Sequence, residues 1–245
     1  WDEAVKVYTE DSLKAYGIVP FHIPVVMKRL TQAFKDKDLD RIMKLSADLG
    51  HYIGDSHVPL HTTENYNGQM TGQKGIHGFW ESRLPELYAS KYNFYVGKAV
   101  LVEDVLLEPW DAVMESHKAL DSVLAFEKEL TESFPTDKKF GFENRNGILV
   151  RTYSQEFSLA YHQRLNGMVE RRMRQSIRRV GSFWYTAWKN AGSPDLSELV
   201  DKTPQEVKES YKRKLQIIDR EMADNTATGY RPCKVGSTYE LRNPF

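Results

Sequence analysis

A single cysteine, Cys233, stands in a chain of 245 residues. That excludes an intramolecular disulfide and a zinc site built on thiolates. It leaves the compartment open, because secreted proteins can do without disulfides. Net charge is also lacking: 34 Lys and Arg balance 34 Asp and Glu. A neutral chain feels no global pull toward nucleic acid or an anionic membrane, so affinity for a polyanion has to be local. There is no run of 18 apolar residues, so no membrane-spanning helix and no stable membrane insertion is expected. The chain starts Trp1-Asp2-Glu3, without an initiator Met or a signal-peptide pattern, and reads as a processed or truncated start. It has no repeat, no low-complexity tract and no alternating pattern strong enough to suggest a sheet.

What is present is helical periodicity. With 40% hydrophobic residues, the chain can bury the core of one large domain or two small ones. Residues 4–16 read as a short helix closed by Gly17 and Pro20, and 24–35 as a second helix. Asp36-Lys37-Asp38 has the chemistry of a turn and helix cap. Ile42, Leu45, Leu49 and Ile53 then recur at helical spacing, and Pro59 predicts a stop near His57. Residues 62–75 read as an ordered loop. A helix is expected from Ile76 to an end or kink near Pro85, and another over 110–133. Residues 134–147 read as a polar loop. The longest helical pattern covers 149–190, with Gly167 and Gly181 as places where it can bend. Thr203-Pro204-Gln205-Glu206 has the form of a capping box opening a helix to about Ala223. The expected organisation is a main helical domain over 1–195, with a C-terminal helix and tail over 196–245 packed on it.

Histidine carries the chemical signal. Four of the seven histidines lie between positions 51 and 77. His51 and Asp55 are four residues apart, so they project from one helical face, and His77 and Glu81 repeat the spacing. His61 lies just past Pro59, where the chain can turn its side chain back. Imidazole and carboxylate are standard zinc ligands, and three of them leave a position for water. Asp48 or Glu64 could supply the carboxylate that commonly orients a ligating histidine. The competing reading is ordinary His–acid pairs on helix surfaces; two pairs plus His61 within 31 residues weigh against it. His57 points elsewhere on the helix and reads as an outer partner or a surface residue. His22 reads as structural, and His117 and His162 as structural or exposed.

The run His51-Tyr52-Ile53-Gly54-Asp55, then Pro59-Leu60-His61, then His77-x-x-x-Glu81, resembles the second half of the metal signature of the zinc-dependent phospholipase C and S1/P1 nuclease superfamily. The likeness covers those 31 residues; the flanking helices agree in character only. It implies an all-α, phospholipase C/P1 nuclease-like helical bundle with up to three zinc ions, secreted or periplasmic. His61, His77 and Glu81 would hold one zinc. His51 and Asp55 would contribute to the other two, with Asp55 bridging them at the catalytic centre. A metal-held hydroxide would attack phosphorus in a phosphate-ester substrate.

Members of that superfamily begin with a metal-binding Trp, followed by a ligating His and then by a further Asp and His. Here only His22 lies between Trp1 and His51. The expectation is that Trp1 is an internal residue, that the N-terminal part of the fold is missing, and that one self-sufficient three-ligand zinc site remains. Catalysis by this chain alone then stays open. Glu81 in the last ligand position, with Asn65-Tyr66-Asn67 in the loop, leans toward a phospholipase C-like phosphodiesterase. A single-strand nuclease or 3′-nucleotidase of the S1/P1 type is the alternative, and a non-catalytic helical protein stabilised by its metal is a third reading.

Seven arginines, Arg151, Arg164, Arg171, Arg172, Arg174, Arg178 and Arg179, lie in the 149–190 pattern. They could form a phosphate-binding face, but Glu156 and Glu170 interleave and a solvated helix face is the preferred reading. Phe183, Trp184, Tyr185 and Trp188 likewise read as core, not as a base-stacking platform.

Overall fold

The computed structural model describes residues 1–200. The expected helix at 203–223, the tail after it and Cys233 lie outside the described residues. One compact unit runs over Trp1–Ser193; a second begins at Pro194 and, among the described residues, contains only the short helix α10, Ser197–Val200.

The first unit is mostly helical. The expected 4–16 helix is two helices, α1 (Asp2–Tyr8) and α2 (Glu10–Tyr16), broken at Thr9, whose φ of 63° no helix accepts. The Thr9 side chain then caps α2 by accepting from the Ser12 amide. Pro20 does not end a helix. It sits in the first turn of α3 (Val19–Lys35), where a missing N–H costs nothing. Ile23, Val26, Met27, Leu30, Ala33 and Phe34 form the buried stripe of α3. Asp38 caps α4 (Leu39–Asp55) through the Arg41 amide at 3.1 Å. Helix α4 ends just before Pro59, as expected, and a 3₁₀ turn, Pro59–Thr62, follows.

The loop over 62–75 is ordered by its own polar groups. Asn65 accepts from the Met70 amide and Asn67 from the Gly75 amide. Gly68, at φ 69°, lies so close to Gln73 that an added Cβ would come within 2.4 Å of the Gln73 carbonyl oxygen. Helix α5 (Ile76–Gly78) then runs into a π turn, Phe79–Arg83, and α6 (Leu84–Tyr88). Pro85 brings no N–H, and the wide turn just before it takes up the break in the ladder. Helix α7 (Leu107–Ser133) is the helix expected over 110–133, begun one turn earlier.

Two expectations fail between 134 and 168. A two-stranded antiparallel hairpin, β1 (Phe140–Arg145) with β2 (Ile148–Tyr153), replaces the loop and the first turn of the predicted long helix. Asn146 and Gly147 both have positive φ, 53° and 84°, as a tight hairpin turn demands. The long helix is also divided, into α8 (Gln155–Arg164) and α9 (Met168–Asn190), by positive φ at Asn166 and Gly167. Gly181 passes through α9 without a break.

The core positions the site. Leu60, Ile76, Phe79, Trp80 and Leu84 pack with Leu120 and Val123 of α7 and Phe157 and Tyr161 of α8. These anchors flank the candidate ligands in sequence. Each fully buried side chain of this size contributes about 1.5–3 kcal/mol, so the 3₁₀ turn and the α5 segment are held firmly.

Candidate metal centre

His61 comes from the 3₁₀ turn, His77 from α5 and Glu81 from the π turn. Buried Leu60 on one side and buried Ile76 and Phe79 on the other bring the three together. His61 Nε2 lies 3.0 Å from His77 Nε2 and 3.5 Å from Glu81 Oε2, while His77 Nε2 lies 2.7 Å from Glu81 Oε2. The three donors thus form one triangle, the arrangement of a potential metal site. Zinc–ligand bonds of about 2.0–2.1 Å in a tetrahedron put ligand atoms about 3.3 Å apart, so the triangle needs only small adjustment to take an ion at its apex. Two imidazole nitrogens facing each other at 3.0 Å cannot both carry a proton comfortably; a cation between them removes the conflict.

The electrostatics agree with the geometry. Burial works to raise the Glu81 pKa, but hydrogen bonds from His61 and His77 hold it down to about 2. Burial works to lower the His61 pKa, but Glu81 and Asp55 outweigh it and raise it. The Nδ1 of His61 faces the backbone carbonyl of Asp55 at 3.2 Å. A proton on Nδ1 donated there leaves the Nε2 lone pair for a metal. For His61 the orienting partner is thus a main-chain oxygen, and not Asp48 or Glu64. Asp48 acts on Tyr52, whose pKa is raised by burial first and by Asp48 next. Glu64 lines a cavity described below, and its backbone carbonyl accepts from Gln69.

His51 and Asp55 stand beside the triangle and are not part of it. His51 Nε2 is 3.4 Å from Asp55 Oδ2, and Asp55 Oδ1 is 3.8 Å from His61 Nδ1. The five residues of the sequence signature are therefore contiguous, but three of them surround one point. Burial raises the Asp55 pKa against the opposing pull of His61 and His51. His22 is half-buried and meets Tyr52 edge-on, 5.1 Å between ring centres.

His57 is neither a surface residue nor a partner of the triangle. It is 2% exposed, with Nδ1 2.7 Å from the Ile53 carbonyl and Nε2 3.0 Å from Arg179 Nη1. Burial, with Arg172 and Arg179 nearby, drops its pKa to about 4. The same two arginines correct the reading of α9 as a solvated basic face. Arg172 donates to the His57 and Ala112 carbonyls and pairs with Glu115 at 3.1 Å; Arg179 pairs with Glu108 at 2.8 Å and Glu115 at 3.2 Å. They tie the end of α4 to α7 and α9. Of the aromatics on α9, Phe183 is core, whereas Trp184 is 40% exposed and donates to the Ser46 carbonyl.

Gln73, Glu127, Lys139 and Thr62 add contacts that the sequence patterns do not mark. Gln73 donates to Glu127 at 2.6 Å, and Lys139 pairs with the same carboxylate at 2.8 Å, which anchors the loop leading to His77. Thr62, next to His61, contacts His117. His162 is stacked on Tyr88 at 4.3 Å.

A cavity of about 320 Å³ meets the triangle at His61, with Asp55 also in its wall. Val19 and Pro20 of α3 and Trp110 and Val113 of α7 give it an apolar lining. No family model, no curated protein and no solved structure matches the chain.

Proposed function

We propose that this protein is a zinc-dependent hydrolase of phosphate esters, acting as a phospholipase C-like phosphodiesterase. The observation that carries the reading is the triangle of His61, His77 and Glu81 opening beside a ligand-sized cavity. Two imidazoles and one carboxylate suit zinc and leave a fourth position for water or substrate. The resemblance of the His51–Glu81 run to the phospholipase C and S1/P1 nuclease signature supports phosphate esters as the substrate class, and Glu81 in the last position supports the phospholipase branch.

Bound zinc would supply a Lewis acid and acidify a coordinated water. The chain's own residues do the rest. His61 Nδ1, tied to the Asp55 carbonyl, keeps Nε2 aimed at the centre. The Asp55 carboxylate stands in the cavity wall, with its pKa raised by burial, and can take a proton from the attacking water.

The test is zinc content per chain, followed by hydrolysis of bis(4-nitrophenyl) phosphate, phosphatidylcholine and single-stranded RNA before and after chelation. The expected result is one zinc at the triangle and phosphatidylcholine hydrolysis that chelation abolishes and zinc restores. A protein that binds no zinc, or whose zinc only stabilises it without any hydrolysis, sinks the reading. Cleavage of RNA alone would move it to the nuclease branch.

A further inference from the structure

The cavity that His61 lines is also lined by His117, on α7. Its ring is exposed, and its contacts favour one tautomer. The Thr62 hydroxyl donates to the Pro59 carbonyl at 2.7 Å, which uses its one proton. The Thr62 oxygen also lies 3.1 Å from His117 Nδ1. That contact is a hydrogen bond only if Nδ1–H donates to the hydroxyl oxygen. A neutral His117 therefore presents a bare lone pair at Nε2, for which no described residue provides a hydrogen-bond donor. Pro59 is itself buried in the turn that holds His61, so the relay from Pro59 through Thr62 to His117 is anchored at the metal centre.

We propose that His117 is a substrate-binding residue of this cavity whose Nε2 accepts a hydrogen bond from a free hydroxyl on the leaving group of the phosphate ester. The proposal rests on the phosphoesterase reading and sharpens it. An acceptor in a largely apolar chamber rewards a leaving group that brings a donor. It gives nothing to one that brings only acceptors, such as a diacylglycerol with its ester carbonyls. Within the phospholipase C-like class, the favoured substrates are then phosphate esters whose leaving group keeps a free hydroxyl, such as a monoacylglycerol or glycerol.

The tautomer is read without any activity. In a two-bond proton–nitrogen NMR spectrum the wild-type His117 should show protonated Nδ1 and bare Nε2, and Thr62→Val should release that preference. Recognition is read by calorimetry on the zinc-loaded protein. The ligands are ω-hydroxyalkylphosphonates of two to four carbons against n-alkylphosphonates with a methyl in place of the hydroxyl. The wild type should favour the hydroxyl member by roughly 2- to 12-fold at the chain length that reaches His117, the range of one hydrogen bond. His117→Ala and Thr62→Val should each abolish the preference while phosphonate binding and zinc content persist. The double variant should lose no more than either single one. A riboside and a 2′-deoxyriboside phosphonate, run beside glyceryl and propyl phosphonates, tell a sugar hydroxyl from that of a polyol. Protonated Nε2 in the wild type, or equal affinities at every chain length, overturns the role of His117. Phosphonate binding that ignores zinc would instead overturn the phosphoesterase reading and leave the tautomer result standing.

Discussion

His61 Nε2 and His77 Nε2 face each other at 3.0 Å, with Glu81 Oε2 within 3.5 Å of both. These atoms compete for the same protons, and a divalent cation would replace them. Zinc should bind with one equivalent at this triangle and displace protons as it does so. Calorimetric titration in buffers of different ionisation enthalpy measures that release directly. His61→Ala, His77→Ala and Glu81→Ala should each weaken binding by at least the roughly 10- to 100-fold typical of losing an outer-shell partner. A titration heat independent of buffer, or zinc binding undiminished in these variants, would place the ion elsewhere.

The same groups set a pH dependence. The folded-state pKa of His61 is raised above its ordinary 6.5. Its contribution to stability is present below about 6.5 and is lost as pH rises through the folded value. Asp55, also raised, acts in the same direction at lower pH. Glu81 is held down to about 2 from 4.5, so its contribution is present above about 4.5 and is lost as pH falls toward 2. The chelated protein should therefore lose stability on this account as pH climbs past His61, while zinc, no longer competing with a proton there, stabilises more. The gap in Tm between zinc-loaded and chelated protein should widen from pH 6 to pH 8. A constant gap would mean that His61 is not a ligand.

Much of this centre is legible from spacing alone. The His51–Asp55 and His77–Glu81 intervals place each pair on one helical face, and Pro59 marks the turn that brings His61 back. What spacing cannot supply is the pairing across the fold. Residues 61 and 77 meet because Leu60, Ile76 and Phe79 are buried together, a tertiary fact. The hairpin was readable: Asn146-Gly147 is a strong turn signal, and Ile148, Val150 and Thr152 suit a strand. Leu149 and Phe157 also fit a helical period, and that fit masks the strand. The break at Gly167 depends on Asn166 accepting positive φ, which periodicity does not register. The ion network left a trace in the sequence, since Arg172 and Arg179 on one helix and Glu108 and Glu115 on another share a seven-residue interval. Opposite charges at matched heptad spacing are a pairing signal that a count of basic residues hides.

That network makes a prediction about the arginines of α9. Arg172 is 6% exposed and holds two backbone carbonyls as well as Glu115. Its removal leaves buried acceptors and a carboxylate without a partner. Glu115 is partly exposed, so Arg172→Ala should cost about 2–3 kcal/mol, below the range for a fully buried pair. Arg178→Ala, on the exposed side, should change stability by less than about 0.5 kcal/mol. Urea unfolding of both variants checks this. Similar small costs at both positions would return α9 to the status of a basic face available for phosphate.

The buried carboxylate of Glu127 tests how the loop before His77 is held. Glu127 has no exposed surface, and it accepts from Gln73 at 2.6 Å, Lys139 at 2.8 Å and Thr131 at 3.0 Å. Lys139 also lies over the Phe157 ring, 5.2 Å from its centre. Glu127→Ala strands the Lys139 ammonium in this largely apolar setting and should destabilise the protein by about 3–5 kcal/mol. Gln73 is four residues before His77, and in the same variant it loses one of its two anchors, keeping only the Leu124 carbonyl at 2.8 Å. The metal triangle should therefore loosen as well. Zinc affinity, measured by competition with a chromophoric chelator at a temperature where the variant is still folded, should fall about tenfold. The milder Gln73→Ala keeps the Glu127–Lys139 pair and should show the affinity loss with a smaller cost in stability. If both variants bind zinc as tightly as the wild type, the packing of Ile76 and Phe79 alone orients His77, and the Gln73–Glu127 bond serves stability only.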